Sequence, residues 1–219
     1  MDRSNILAHR GIWSQGHKPN SLSSLEKALT AGFGIETDLR DHCGEIVVSH
    51  DPIQHGREIV YARQFLAGIR NDTQKPHGRI ALNIKSDGLA GQLKSELADL
   101  LIRSNRSFFF DMSIPDTLQY VRADLPFYIR MSEYEERPPL GLNPKGIWMD
   151  NFLGAFDQVA AALQYLNAGY RVCVVSSELH HRDRMSLWHL IRESGIHKNQ
   201  CFEICTDMPY DALRYFSEA

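Results

Sequence analysis

Short apolar runs alternate along the chain with stretches whose apolar residues recur every three or four positions, and that alternation sets the expected fold. The β-rich runs are Asn5–His9, Ile35–Arg40, Ile80–Lys85, Phe108–Met112, Phe127–Met131, Gly146–Asp150, Arg171–Ser176 and Phe202–Thr206. A further run, Ile46–His50, follows the second so closely that it reads as a hairpin arm. Between the runs, Leu22, Leu25, Ala28 and Leu29 lie at helical spacing behind Asn20-Ser21, where Asn20 is the expected helix cap and Gly32 the stop. The same spacing recurs at Leu93, Leu97, Leu100 and Leu101, at Ile114, Leu118 and Val121, at Val159, Ala162, Leu163 and Leu166, and at Leu187, Leu190 and Ile191. Strand followed by helix, repeated, implies a parallel sheet. About eight such units, in a chain of 219 residues against the ~250 usual for the fold, favour a closed (β/α)8 TIM barrel with trimmed loops over an open sheet. No linker, repeat or composition break divides residues 1–219, so a single barrel domain is expected.

Composition narrows the function without changing the fold. A formal net charge of −3 argues against a nucleic-acid footprint. No apolar stretch approaches the roughly 20 residues that span a bilayer, and the start, MDRSN, has no apolar signal core, so a cytoplasmic protein without an integral membrane segment is expected. Cys43, Cys173, Cys201 and Cys205 show no CxxC spacing and read as reduced thiols. Oligomeric state leaves no trace in the sequence.

The chemistry gathers where the strands run out, the face on which barrels of this kind build their sites. The first strand ends in His9-Arg10-Gly11, and the hairpin arm delivers His50 in SHDP. Glu36 and Asp38, two apart on one strand, point to one face, as do Asn83 and Lys85 on the next. Carboxylates inside apolar strands need compensation, either from a salt bridge with Arg10, Arg40 or Lys85 or from a metal. Glu36, Asp38 and Asn83 offer three oxygen donors suited to a divalent metal, Mg²⁺ or Ca²⁺. Arg10 and Lys85 would neutralise an anion, and a phosphate ester best fits two histidines, a hard cation and two basic side chains. Arg130, Trp148, Asp150 and Ser176 end other strands and are candidate pocket residues, with His180-His181 on the same rim. Asp207, in TDMP, reads as a turn cap.

In order, AHRG, KPNSLSSLEKAL, GIETDLR, DHCGEIVVSHDP and LNIKSDG resemble the motifs of the glycerophosphodiester phosphodiesterase family, and ICTDMP is similar to its closing strand. The resemblance spans nearly the whole chain and is most specific in the first fifty residues. It implies a phospholipase-C-like barrel that hydrolyses a small-molecule phosphodiester with a metal. His9 and His50 would be the acid/base pair on opposite sides of phosphorus, Arg10 and Lys85 the phosphate contacts, and Glu36 and Asp38 metal ligands. Asn83 stands where the family carries a third carboxylate, and Pro19 stands at the position of a motif glutamate. Sphingomyelinase-D-like formation of a cyclic phosphate is the enzymatic alternative, and a barrel that only binds a phosphorylated ligand is the non-catalytic one. The segment Asp51–Arg79 is short where the family often inserts a cap, so an open site is expected.

Overall fold

A computed structural model describes residues 1–13, 16–56, 58–71, 78–96 and 106–217. Among these residues nine strands form one sheet: β1 (Ile6–His9), β2 (Gly34–His42), β3 (Glu45–Val48), β4 (Ile80–Ile84), β5 (Ser107–Phe110), β6 (Tyr128–Met131), β7 (Gly146–Met149), β8 (Arg171–Val175) and β9 (Phe202–Thr206). Eight run parallel in the order β5-β4-β2-β1-β9-β8-β7-β6, and a parallel bridge between Phe109 and Phe127 joins the two ends. β3 pairs antiparallel with β2 as the expected hairpin arm. The result is a nearly closed (β/α)8 barrel, and all eight expected strands are present to within three residues at each end.

Alternation along the strands sorts side chains between two cores. On β2, Ile35 and Leu39 face the helices with the larger apolar cluster, while the intervening Glu36 and Asp38 turn inward. Leu7, Ala81, Phe108, Phe110, Tyr128, Trp148, Cys173, Val175 and Cys205 fill the barrel. The floor is charged: fully buried Glu203 sits between Arg79 (3.1 Å) and Arg171 (2.9 Å), and the Tyr128 hydroxyl donates to it at 3.3 Å. Gly146 makes room for this layer, since a Cβ there would lie 2.6 Å from the Tyr128 ring. The upper end of the barrel is thus left for the site. All four cysteines are free thiols. Among the described residues no helix is long and apolar enough to cross a membrane.

The helices are α1 (Leu22–Thr30), α2 (Ala62–Asn71), α3 (described over 90–96), α4 (Ile114–Arg122), α5 (Gln158–Asn167), α6 (Arg184–Ser194) and α7 (Pro209–Ser217). Ser21, not Asn20, caps α1, accepting from the Ser24 N–H at 3.2 Å, because the Asn20 side chain is turned into the site. The largest departure is α4. Ile114, Leu118 and Val121, expected to face the core, are exposed, and Asp116, Thr117 and Tyr120 are buried instead. The Tyr120 ring packs on Phe109 at 5.3 Å and Asp116 accepts the Gly88 N–H at 2.9 Å, and together they fix the rotation of the helix. Leu163 and Leu190 are likewise exposed, while Val159, Ala162, Leu166, Leu187 and Ile191 are buried as expected, together with Tyr165 and Trp188. Leu93 is buried as expected, and Leu97, Leu100 and Leu101 lie outside the described residues. α2 occupies part of the short segment after Asp51, whose residues 57 and 72–77 also lie outside them.

Candidate active site

Backbone geometry at the end of β1 sets the first residues. Arg10 adopts a left-handed φ of 56° and Gly11 one of +86°, and a Cβ on Gly11 would lie 2.5 Å from the Ser24 carbonyl carbon. The glycine lets the chain pass under α1, so that His9 and Arg10 stand over the barrel mouth. A cavity of about 570 Å³ opens there, lined by His9, Arg10, Glu36, His50, Asn83 and Lys85 among others. Seven separated sequence positions were expected at the site. Six line this cavity, and the seventh, Asp38, is buried beside it in contact with Arg10 and Lys85.

His9 Nδ1 lies 2.7 Å from Asp207 Oδ1, and Nε2 lies 3.9 Å from Glu36 Oε2. Burial alone lowers the pKa of His9, but the Asp207 hydrogen bond and the charges of Glu36 and Asp207 outweigh it and the opposing Arg10, and the net effect is a rise. Glu36, 2% exposed, is pushed up from 4.5 to about 7, first by burial and then by Asp38, with His9, Arg10 and Lys85 opposing. His50 is more open, its side chain 44% exposed, with Nδ1 2.9 Å from Asp51 Oδ1. The Arg40 guanidinium donates to the His50 carbonyl at 2.8 Å and holds that turn.

The two basic side chains lean on carboxylates. Arg10 Nε lies 3.1 Å from Asp38 Oδ2, close enough for an ion pair yet misaligned for a hydrogen bond. Lys85 Nζ is 3.2 Å from Asp111 Oδ2 and 3.6 Å from Asp38 Oδ1. Asn20 donates to Asp38 Oδ2 and accepts from the Thr37 hydroxyl, each at 2.8 Å. These contacts partly realise the salt-bridge alternative for Asp38, but they do not reach Glu36, whose only ion-pair neighbour among the described residues is His9.

Among the buried oxygens that have no hydrogen-bond partner within the described residues, three stand together at this site: Glu36 Oε2, Asp38 Oδ1 and Asn83 Oδ1. They belong to the three side chains expected to ligate a metal. Among the described residues no three His, Cys, Asp or Glu side chains are arranged to hold a cation, and the third oxygen of this set is an amide, that of Asn83. Hard oxygen donors left unsatisfied beside a carboxylate with a raised pKa fit a divalent cation.

Other expected rim residues divide. Arg130, Trp148, Asp150, His180 and His181 line the cavity. Ser176 does not: it is fully buried, where its hydroxyl accepts the Trp188 indole N–H at 2.8 Å and bonds Glu178. Asp207, read as a turn cap, is instead the partner of His9, a contact across 198 residues of sequence. The signal available for it was topological, since the last strand of a closed barrel lies beside the first. Asp111 and Glu178 also line the cavity unforeseen; Asp111 pairs with Arg130, and Glu178 accepts from the Thr206 hydroxyl and the Asp207 N–H.

No protein-family model matches the chain, and no curated protein does. Solved structures do. A glycerophosphodiester phosphodiesterase from Parabacteroides distasonis ATCC 8503 superposes with a TM-score of 0.72 at 18% identity, covering 99% of this chain and 98% of that one. A glycerophosphodiester phosphodiesterase from Agrobacterium tumefaciens str. C58 gives 0.71 at 16% identity, covering 98% and 99%. A phosphodiesterase from Oleispira antarctica, in complex with the product sn-glycerol-3-phosphate, gives 0.67 at 16% identity, covering 97% and 96%. At these identities the likeness establishes the fold: the chain has the (β/α)8 barrel that these phosphodiesterases share.

Proposed function

We propose that this protein is a phosphoric diester hydrolase that cleaves a small-molecule phosphodiester with the help of a divalent cation, Mg²⁺ or Ca²⁺. The observation that carries the reading is the set of three buried oxygens without a hydrogen bond, Glu36 Oε2, Asp38 Oδ1 and Asn83 Oδ1, at a cavity that also holds His9, His50, Arg10 and Lys85. The barrel shared with solved glycerophosphodiester phosphodiesterases supports it.

Glu36, Asp38 and Asn83 would hold the cation, which when bound polarises the phosphoryl oxygens as a Lewis acid. Arg10 and Lys85 bind the non-bridging oxygens, in competition with the carboxylates of Asp38 and Asp111 that now hold them. Asp207 fixes the His9 ring through Nδ1 and leaves Nε2 toward the cavity. From there His9 takes a proton from the attacking water as its oxygen bonds to phosphorus. His50 returns a proton to the alcohol oxygen as the phosphorus–oxygen bond breaks. A positioned acid or base contributes about 10²–10⁴-fold. The test is hydrolysis of bis(p-nitrophenyl) phosphate with Mg²⁺, Ca²⁺ or Mn²⁺ and with chelator. Turnover that needs the cation is expected; its absence under every condition would leave a barrel that binds phosphorylated ligands without cleaving them.

A further inference from the structure

Glu178 lines the cavity, yet among the described residues all the hydrogen bonds of its carboxylate are to protein donors. β8 and β9 pair in the register Val175↔Cys205, and the Ser176 N–H donates to the Cys205 carbonyl at 2.9 Å, so Ser176 and Thr206 leave the sheet side by side. The short turn after β8 brings the Glu178 carboxylate to both. Its Oε1 accepts from the Thr206 hydroxyl and from the Asp207 N–H at 3.1 Å, and its Oε2 accepts from the Ser176 hydroxyl. Each hydroxyl is turned into a donor by the N–H behind it. The buried Trp188 indole donates to Ser176 Oγ at 2.8 Å and the Met208 N–H donates to Thr206 Oγ at 3.0 Å, so both hydroxyl hydrogens are left for Glu178.

What the carboxylate holds is the stretch Thr206–Met208, the junction of β9 and α7, and Asp207 stands in the middle of it. Among the described residues the Asp207 carboxylate makes one hydrogen bond, the 2.7 Å contact to His9 Nδ1. Its place against the ring is therefore set by the backbone beneath it, and that backbone is fixed at Asp207 by Glu178. The contacts run from Trp188 in α6 through Ser176 and Glu178 to Asp207, and end at the ring proposed to take the proton.

We propose that Glu178 is a positioning residue of this site: it fixes the Thr206–Met208 turn, and through it the Asp207 carboxylate, so that His9 keeps its proton on Nδ1 and presents Nε2 to the cavity. Its effect on rate rests on the phosphodiesterase reading, and its effect on the ring does not. Nitrogen NMR shifts of neutral His9, recorded in chelator, report which ring nitrogen carries the proton, and hydrolysis of bis(p-nitrophenyl) phosphate reports the rate. Glu178→Ala should mix the two tautomers and lower kcat by up to about 10²-fold, the order of cost of a misplacement of about 1 Å. KM should change little, because Arg10 and Lys85 are untouched. Glu178→Gln keeps an oxygen for the Thr206 and Asp207 donors and should retain the tautomer and most of the rate. In an Asp207→Ala background, where no carboxylate is left to position, Glu178→Ala should add no further loss. An unchanged tautomer and kcat in Glu178→Ala overturns the assignment. So does a glutamine variant as impaired as the alanine one, or losses that multiply in the double variant, since either marks a direct effect of the Glu178 charge. If circular dichroism shows that Glu178→Ala does not fold, Thr206→Val keeps the shape and removes one donor to Glu178, and an unchanged ring and rate there overturn the assignment equally. A wild type without turnover overturns the phosphodiesterase reading, and the tautomers of the variants still decide this one.

Discussion

Glu36 gives the site a measurable signature before any substrate is known. Burial and the neighbouring Asp38 raise its carboxyl from 4.5 to about 7 in the folded chain. Between those values the folded protein holds a proton that the unfolded chain has released, so stability falls as pH rises through this window and levels off above it. A rise of this size corresponds to about 3 kcal/mol at ~1.4 kcal/mol per pKa unit. His9, also raised, adds a loss of the same sign as pH climbs from 6.5 through its folded value. Glu36→Gln removes the carboxylate and, with it, part of the lift on His9. In chelator, the variant should match the wild type near pH 4.5 and exceed it by about 3 kcal/mol at pH 8. Urea unfolding followed by tryptophan fluorescence across that range measures the difference. Excess Mg²⁺ should restore the wild type at pH 8 and do little for the variant. Parallel stability curves, with a gap independent of pH, would refute the buried-carboxylate argument.

Replacing either His9 or His50 by Ala should lower kcat/KM at least ~10²-fold with the fold retained, as judged by circular dichroism, and near-normal activity in either variant would end the two-histidine scheme. Asn83→Asp should tighten Mg²⁺ binding in calorimetry and preserve activity at low metal, because an added anion beside a divalent cation is favourable even under strong screening; unchanged metal affinity with a large rise in KM would instead place the Asn83 amide against the substrate. Asp207→Asn removes a contact that raises the pKa of His9, so the ascending limb of the kcat/KM–pH profile should move to lower pH while the plateau falls; a limb that stays in place would separate His9 from it.

The strands were legible because parallel barrel strands are buried on both faces and read as apolar runs against the polar turns around them. The residues at the candidate site were legible for the same reason. Glu36, Asp38, Asn83 and Lys85 interrupt those runs at a spacing of two, and on β2 and β4 a two-residue step returns to the inner face. What local pattern did not carry were contacts decided by closure or by a single ring. Asp207 meets His9 only because β9 pairs with β1, and no sequence window contains both. Asn20 was read as a cap from its place before a helix, yet its side chain has a better partner in buried Asp38, and Ser21 takes the cap. On α4 the apolar stripe was real, but the helix is rotated by Tyr120 and Asp116, so periodicity named the wrong face.

In the proposed reaction Glu36, Asp38 and Asn83 together hold a divalent cation at the mouth of the barrel. Crystals soaked in Mn²⁺ and inorganic phosphate, measured for anomalous scattering, address it directly. One peak is expected with an oxygen of each of the three side chains about 2.0–2.6 Å away, the span of hard-cation oxygen distances, and phosphate between it and the basic groups of Arg10 and Lys85. No peak at these oxygens, or a peak ligated elsewhere while Lys85 keeps its contacts to Asp38 and Asp111, would contradict it.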